Sequence, residues 1–308
     1  MIVRNLVFQA SDGKKISYRK VLPDSRPSAV CVIGHGMNDY GGRFEELALQ
    51  ISGTGVAVYL PDLRGHGDTD AGVNRGYMAD SDGFDRVVAD IVELGDYASK
   101  QHDGAPLYYF GHSFGAAIGL VLAAVYGKNF KGMVLSAPPA KPDPLLDFAG
   151  GLVVAAGMKF KGAHAPAHLP RNMTFGQYAK TVPDAKTGMD WLTRDEKVVD
   201  AYLADPGCNF VCSYSFYRDL IAGVRKIYSD GFLKGIPGNL PVYLFYGSRD
   251  PVVGMKKGAE VMGNTLRTLG LSDLEVKCYE EGRHESINEI NKAEVFSDIT
   301  NWFTRHIA

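Results

Sequence analysis

The sequence predicts an α/β fold: a mostly parallel sheet with helices on both faces, interrupted by a helical insertion. Three observations lead there. Short apolar strands alternate with longer amphipathic stretches at both ends of the chain, the pattern of a sheet covered on two sides. The segment Tyr109-Phe110-Gly111-His112-Ser113-Phe114-Gly115-Ala116 reads as a strand turning abruptly into a helix. The strand–helix rhythm stops near residue 140 and resumes at Pro241.

The elements follow in order. Residues 2–8 alternate and turn at Ser11-Asp12-Gly13-Lys14 into a second strand over 15–22, an opening hairpin. The apolar run 29–33 is a buried strand, followed by a helix near 43–52 and a strand over 56–60. In the stretch 82–101, Phe84, Val87, Val88, Ile91, Val92 and Leu94 recur at helical spacing. Pro106-Leu107-Tyr108-Tyr109-Phe110 is the strand before the abrupt turn, and Ala116–Ala124 a buried helix after it. Strand 132–136 ends at Ser136-Ala137-Pro138-Pro139. Beyond the insertion, 242–246 and 274–279 are strands. The expected organisation is a core over 1–139, a helical cap over 140–236, and a second core segment over 237–308.

The abrupt turn carries the chemistry. Gly111-His112-Ser113-Phe114-Gly115 is Gly-x-Ser-x-Gly, in which the flanking positions must be very small because the turn is so tight. Ser113 then stands at a helix N-terminus, where free backbone N–H groups favour developing negative charge. A serine hydroxyl is a poor nucleophile at neutral pH and needs a base, itself held by an orienting group. Both stand downstream, in the order serine, acid, histidine. Strand 242–246 leads to Gly247-Ser248-Arg249-Asp250, and strand 274–279 leads to Glu280-Glu281-Gly282-Arg283-His284. Each follows a strand's C-terminal end, where open parallel sheets bind ligands. Ser113 is therefore expected as nucleophile, His284 as general base and then acid, and Asp250 as the group fixing the imidazole. Strand 29–33 ends in Gly34-His35-Gly36-Met37, which nominates the backbone N–H groups of Met37 and Phe114 as the oxyanion hole. Asp250 before Pro251 also fits an ordinary turn, and His284 a solvated loop.

These residues resemble the monoacylglycerol lipase and lysophospholipase branch of the α/β hydrolases, a group often labelled serine aminopeptidase-like. The resemblance rests on His35-Gly36-Met37 with Gly42-Arg43-Phe44, on Asp62-Leu63-Arg64-Gly65-His66-Gly67, on the serine motif, and on Ser136-Ala137-Pro138. It continues through Leu192-Thr193-Arg194-Asp195, Tyr202, Asp205-Pro206, Gly247–Asp250 and His284-Glu285 with Glu289. The family usually carries Glu-His where this chain has Asp39-Tyr40, beside the oxyanion loop. The resemblance implies an α/β-hydrolase fold and a monoacylglycerol or lysophospholipid substrate. It makes the Asp62–Gly67 loop structural, with Asp62 and Arg64 fixing turns.

Composition agrees with a soluble enzyme. A net charge of −2 gives no electrostatic case for nucleic acid or an anionic membrane. The N-terminus reads as a first strand rather than a signal peptide, and no run of 18 apolar residues appears. Cys31, Cys208, Cys212 and Cys278 are scattered and read as reduced core thiols of a cytoplasmic protein. No cofactor or metal is expected. His164 and His168 have the i, i+4 spacing of a metal pair, but Pro166 between them argues for an irregular loop from Phe160 to Pro170. His35 is expected to pack under its loop.

Within the cap, residues 145–158 are apolar nearly all round, too short to span a bilayer, and rich in glycine. They read as a buried helix packed on the core. Part of it, with Leu152 and Met158 as candidates, is also expected to line an acyl tunnel or to make transient contact with a membrane surface.

The expected reaction is hydrolysis of a small-molecule acyl ester through an acyl-enzyme, rising with pH through the histidine range, about 6.5. A small-ester esterase or thioesterase, a proline-type aminopeptidase and a non-catalytic ligand-binding module are the alternatives.

Overall fold

The computed structural model describes residues 1–307. One eight-stranded sheet runs through it. Its strands are β1 (Ile2–Gln9), β2 (Lys15–Val21), β3 (Ala29–Gly34), β4 (Val56–Pro61), β5 (Leu107–His112), β6 (Gly132–Ser136), β7 (Val242–Gly247) and β8 (Leu274–Tyr279). They lie in the order β1-β2-β4-β3-β5-β6-β7-β8. β2 is antiparallel to both its neighbours, and β3 through β8 are mutually parallel. This is the α/β-hydrolase arrangement that the sequence predicts.

The central strands are buried on both faces, so their residues alternate between two cores. Val30, Val32, Tyr109 and Leu244 face one, where α2 (Gly83–Gln101), α3 (Phe114–Tyr126) and α8 (Met255–Thr268) pack. Cys31, Ile33, Phe110 and Phe245 face the other, against α1 (Glu45–Ser52) and α9 (Lys292–His306). The helical spacing read in 82–101 is realised: Phe84, Val87, Val88, Ile91 and Leu94 are all buried in α2. Strand order reverses between β3 and β5, which pair through Gly34 and Gly111 at their C-terminal ends. That crevice is where a ligand sits in an open parallel sheet.

Between β6 and β7 the chain forms four helices: α4 (Pro144–Lys161), α5 (His168–Ala179), α6 (Glu196–Ala204) and α7 (Tyr214–Ile227). Two expectations change here. The apolar segment 145–158 does form a helix, capped by Asp143, whose side chain accepts from the N–H groups of Leu145 and Leu146, with Pro144 in its first turn. It is not buried, however: only Val154 is, while Leu145, Phe148 and Leu152 face outward. The reason is its small residues. α4 leans on α7 so closely that a Cβ on Gly157 would overlap the ring of Tyr214, and this leaves the bulky side chains on the far face. The irregular loop expected from Phe160 to Pro170 is shorter than that. Phe160 ends α4, and His168, Leu169 and Pro170 open α5, where a proline in the first turn sacrifices no helical hydrogen bond. Cys31, Cys208 and Cys212 are buried free thiols, whereas Cys278 on β8 is half-exposed.

Candidate active site

Ser113 is the single residue between β5 and α3. Its backbone, with φ 55° and ψ −111°, occupies a region that costs a non-glycine residue about 1–3 kcal/mol. The surroundings impose it. The Ser113 N–H donates to the Ser136 carbonyl of β6 (2.9 Å), and its own carbonyl accepts the Ala117 N–H (2.9 Å). The flanking glycines are needed for close approach: a Cβ on Gly111 would strike the Gly115 carbonyl, and one on Gly115 would strike that of Gly34.

Asp250 follows β7 and is fully buried. One carboxylate oxygen accepts the Val252 N–H (2.8 Å), and the other lies 2.9 Å from His284 Nδ1. A proton on Nδ1 completes that contact and leaves Nε2 with its lone pair free for the cavity. His284 is held by its N–H to the Trp191 carbonyl (3.3 Å), with its ring between those of His112 (4.7 Å) and Trp191 (5.3 Å). Burial drives His112 far below the usual histidine range, and the neighbouring His284 adds to this. His112 is thus a neutral neighbour.

The loop after β3 is built from buried, neutral histidines. Burial pushes His35 down to about 3. His35 Nδ1 donates to the Gly36 carbonyl (2.7 Å), and Nε2 accepts the Leu63 N–H (2.9 Å). His66, also neutral through burial, donates from Nδ1 to the Arg64 carbonyl (2.9 Å) and accepts the Asn38 N–H at Nε2 (3.2 Å). Asp62 accepts from Arg19 and from the Gly41 and Asp68 N–H groups, while Arg64 forks onto Asp90. Asn38, at φ 61°, is gripped by the cap: its amide donates to the Phe210 carbonyl, its side-chain oxygen accepts from Cys212, and its carbonyl accepts from Tyr202 (3.2 Å). With the loop so fixed, the N–H groups of Met37 and Phe114 have no acceptor among the described residues.

Ser113, His284, Met37 and Phe114 all line one cavity of about 570 Å³ under the cap. Apolar side chains line much of it: Leu220, Ile221 and Val224 of α7, with the largely exposed Leu146 of α4. The two cap residues singled out in the sequence lie elsewhere. Leu152 is on the exposed face of α4, and Met158 packs toward the sheet core. Sequence reasoning chose the right helix but the wrong phase of it, and overlooked α7. The i, i+1, i+4 spacing of Leu220, Ile221 and Val224 was the available signal. It also passed over Trp191, whose ring lies 5.3 Å from that of His284, and Tyr178, which packs on Trp191 at 5.1 Å and lines the same cavity.

Other candidates are accounted for elsewhere. His164 stacks on Tyr77 at 3.9 Å and does not meet His168 in a metal-binding group among the described residues. Among the described residues no helix is long and apolar enough to cross a membrane.

Comparison with known proteins matches this geometry to a family. Residues 25–291 match the family described as serine aminopeptidase, S33. A monoacylglycerol lipase of Mycolicibacterium smegmatis is 27% identical over 305 residues, covering 97% of this chain and 96% of that protein. A monoglyceride lipase of Mus musculus is 27% identical over 97% of this chain and 89% of its own length. A thermostable carboxyl esterase of Bacillus coagulans, solved with glycerol, superposes with a TM-score of 0.89 at 24% identity, covering 100% of this chain and 99% of that one. With a serine elbow, a buried acid–histidine pair and a family match over most of its length, the chain belongs to the serine aminopeptidase S33 family of α/β hydrolases.

Proposed function

We propose that the chain is a serine ester hydrolase acting on monoacylglycerols or closely related lysolipids. The observation that carries this is one cavity joining Ser113 and the Asp250–His284 pair to an apolar wall. In this reading His284 Nε2 takes the Ser113 proton as Oγ attacks the ester carbonyl. The oxyanion is met by the N–H groups of Met37 and Phe114, and losing one such donor typically costs about 10²–10³ in rate. His284 then protonates the leaving glycerol oxygen, and the acyl group stays on Ser113. Water enters, gives its proton to His284, and releases the fatty acid. The relatives' names as monoacylglycerol lipases support the substrate class.

The aminopeptidase reading is disfavoured by the carboxylates of the cavity. A free amino terminus needs an unengaged carboxylate. Asp39 and Glu285 both contact Arg43, Asp143 caps α4, and Asp147 pairs with Arg225 (2.6 Å).

The outward apolar face of α4 supports transient contact with a lipid surface, and the four free cysteines support a reducing, cytoplasmic setting. The test is hydrolysis of a chain-length series of monoacylglycerols and p-nitrophenyl esters beside a prolyl amide, with Ser113→Ala as control. Turnover of medium or long glycerides, lost in the variant, is expected. Preference for acetyl esters or the amide would overturn the substrate class.

A further inference from the structure

Arg43 has no part in the steps above, yet it stands beside them with only 13% of its side chain exposed. It sits on the short 3-10 turn Gly41–Phe44, immediately after the oxyanion loop. Its guanidinium makes a two-pronged contact with Glu285, Nη1 to Oε1 at 2.9 Å and Nη2 to Oε2 at 2.7 Å. Nη1 also lies 3.2 Å from Asp39 of the oxyanion loop, and the Tyr202 ring of the cap covers the guanidinium at 5.0 Å. Glu285 is the residue after His284. Its second oxygen also accepts from Asn288 (2.8 Å), and its N–H donates to the Leu192 carbonyl (2.7 Å).

Two readings of such an arginine compete. A free guanidinium near a lipase serine would bind the substrate's polar head. Here both terminal nitrogens are engaged by carboxylates, an aromatic ring covers the guanidinium, and Arg43 does not line the cavity. Its reach is across the chain: 242 positions separate Arg43 from Glu285. The planar fork fixes both distance and orientation between the two loops, which a lysine's single ammonium does not do.

We propose that Arg43 is a positioning residue: through its fork on Glu285 it sets the loop carrying His284 in register with the loop carrying the Met37 N–H. The base and the oxyanion donor must converge on one tetrahedral carbon, and an error of about 1 Å costs about 10²-fold in rate. The inference rests on the hydrolase reading but not on the monoacylglycerol substrate.

The charged and titratable groups around His284 make a distinctive readout. Asp250 faces it from the β7 loop and His112 from the elbow; Glu285 follows it in its own loop and is paired with Arg43, which also contacts Asp39 on the oxyanion side, and Tyr178 of the cap lines the same cavity. Removing the Arg43 charge lets burial lift Asp39 and Glu285 toward their neutral forms, so that variant reads out in kcat. Removing the Glu285 charge leaves the Arg43 guanidinium short of an anion beside the His284 loop, which disfavours the imidazolium.

The experiment compares Arg43→Met, Arg43→Lys and Glu285→Gln on p-nitrophenyl butyrate, with kcat expressed per serine titrated by a fluorophosphonate. For Arg43→Met the expected result is a kcat lowered ~10–100-fold with KM within about twofold. Arg43→Lys should fall between that and wild type, and Glu285→Gln should move the acid limb of kcat/KM to lower pH. If Arg43→Met does not fold, the lowered kcat of Arg43→Lys, whose single ammonium cannot make the fork, and the limb shift of Glu285→Gln carry the test. A normalised kcat unchanged, an unmoved limb in Glu285→Gln, or a loss confined to KM overturns the proposal. Absence of ester turnover by the wild type overturns the hydrolase reading itself, a separate outcome.

Discussion

The α-carbon of Gly115 faces the carbonyl oxygen of Gly34 so closely that even a methyl group would overlap it. The contact joins the start of α3 to the end of β3, the two segments that carry Phe114 and the oxyanion loop. The Gly115 N–H donates to the His35 carbonyl at 3.1 Å, so the approach is bonded on one side and closed on the other. Gly115→Ala must therefore push backbone against backbone, which no rotamer change relieves. Overpacking of this kind costs about 1–3 kcal/mol. The variant should melt lower and lose most of its activity per folded molecule. Wild-type activity in a folded Gly115→Ala protein would show that the loop has slack.

Asp250 holds its two neighbours with different oxygens, the Val252 N–H with one and His284 Nδ1 with the other. In Asp250→Asn, the amide oxygen keeps the Val252 bond and turns NH₂ toward the imidazole. Nδ1 must then accept, and the proton moves to Nε2, where Ser113 needs a lone pair. The expected loss is about 10⁴-fold in kcat, with little change in melting temperature. A loss below tenfold would mean that Asp250 does not set the tautomer.

The site was legible where chemistry forces local sequence. Ser113, Asp250 and His284 each follow a strand end, and the strand-to-helix turn demands its small flanking residues. The sheet was legible because strands buried on both faces read as unbroken apolar runs. The cap was not. Its first helix, α4, buries only Val154 and is apolar nearly all round, so hydrophobicity alone does not reveal its phase, and Leu152 was read inward when it points out. The Arg43–Glu285 fork was also hidden, because a pair 242 positions apart leaves no local pattern. Both residues were in view only as parts of family motifs.

The two carboxylates around Arg43 respond to pH with opposite signs. Burial pushes Glu285 upward, but the Arg43 charge and fork outweigh it and hold the group down at about 2. Its stabilisation is present above its ordinary value and is lost as pH falls toward 2. Burial pushes Asp39 up to about 6 against the opposing charge of Arg43. Between pH 4 and 6 the folded state therefore keeps a proton that the unfolded chain releases, so the Asp39 contribution to stability declines as pH rises. Asp39→Asn retains an acceptor for the Tyr40 N–H, now 2.8 Å away, and removes the buried charge. Its melting temperature should exceed wild type at pH 8 and match it at pH 4. A variant less stable at pH 8 would show that the Arg43 contact outweighs the burial of the charge.

The outer face of α4 should matter for lipid aggregates and not for dissolved esters. Leu145, Phe148 and Leu152 follow one another at i, i+3 and i+7, a single stripe with 74%, 61% and 56% of each residue exposed. Lys159 and Lys161 lie in the helix's last turn, as in segments that rest at an interface. Leu146 of the same helix is 70% exposed and also lines the cavity, so a lipid surface against the stripe meets a residue of the cavity's own lining. Each such side chain transferred from water is worth about 1.5–3 kcal/mol when fully buried. Even partial insertion of three makes a tenfold effect or more, since about 1.4 kcal/mol is tenfold. Leu145→Ser, Phe148→Ser and Leu152→Ser combined should therefore lower turnover of vesicle-borne monoacylglycerol at least ~10-fold, leaving monomeric p-nitrophenyl butyrate within about twofold of wild type. Equal loss on both substrates would make the stripe a structural support of the cavity. No loss on either would remove the lipid surface from the account.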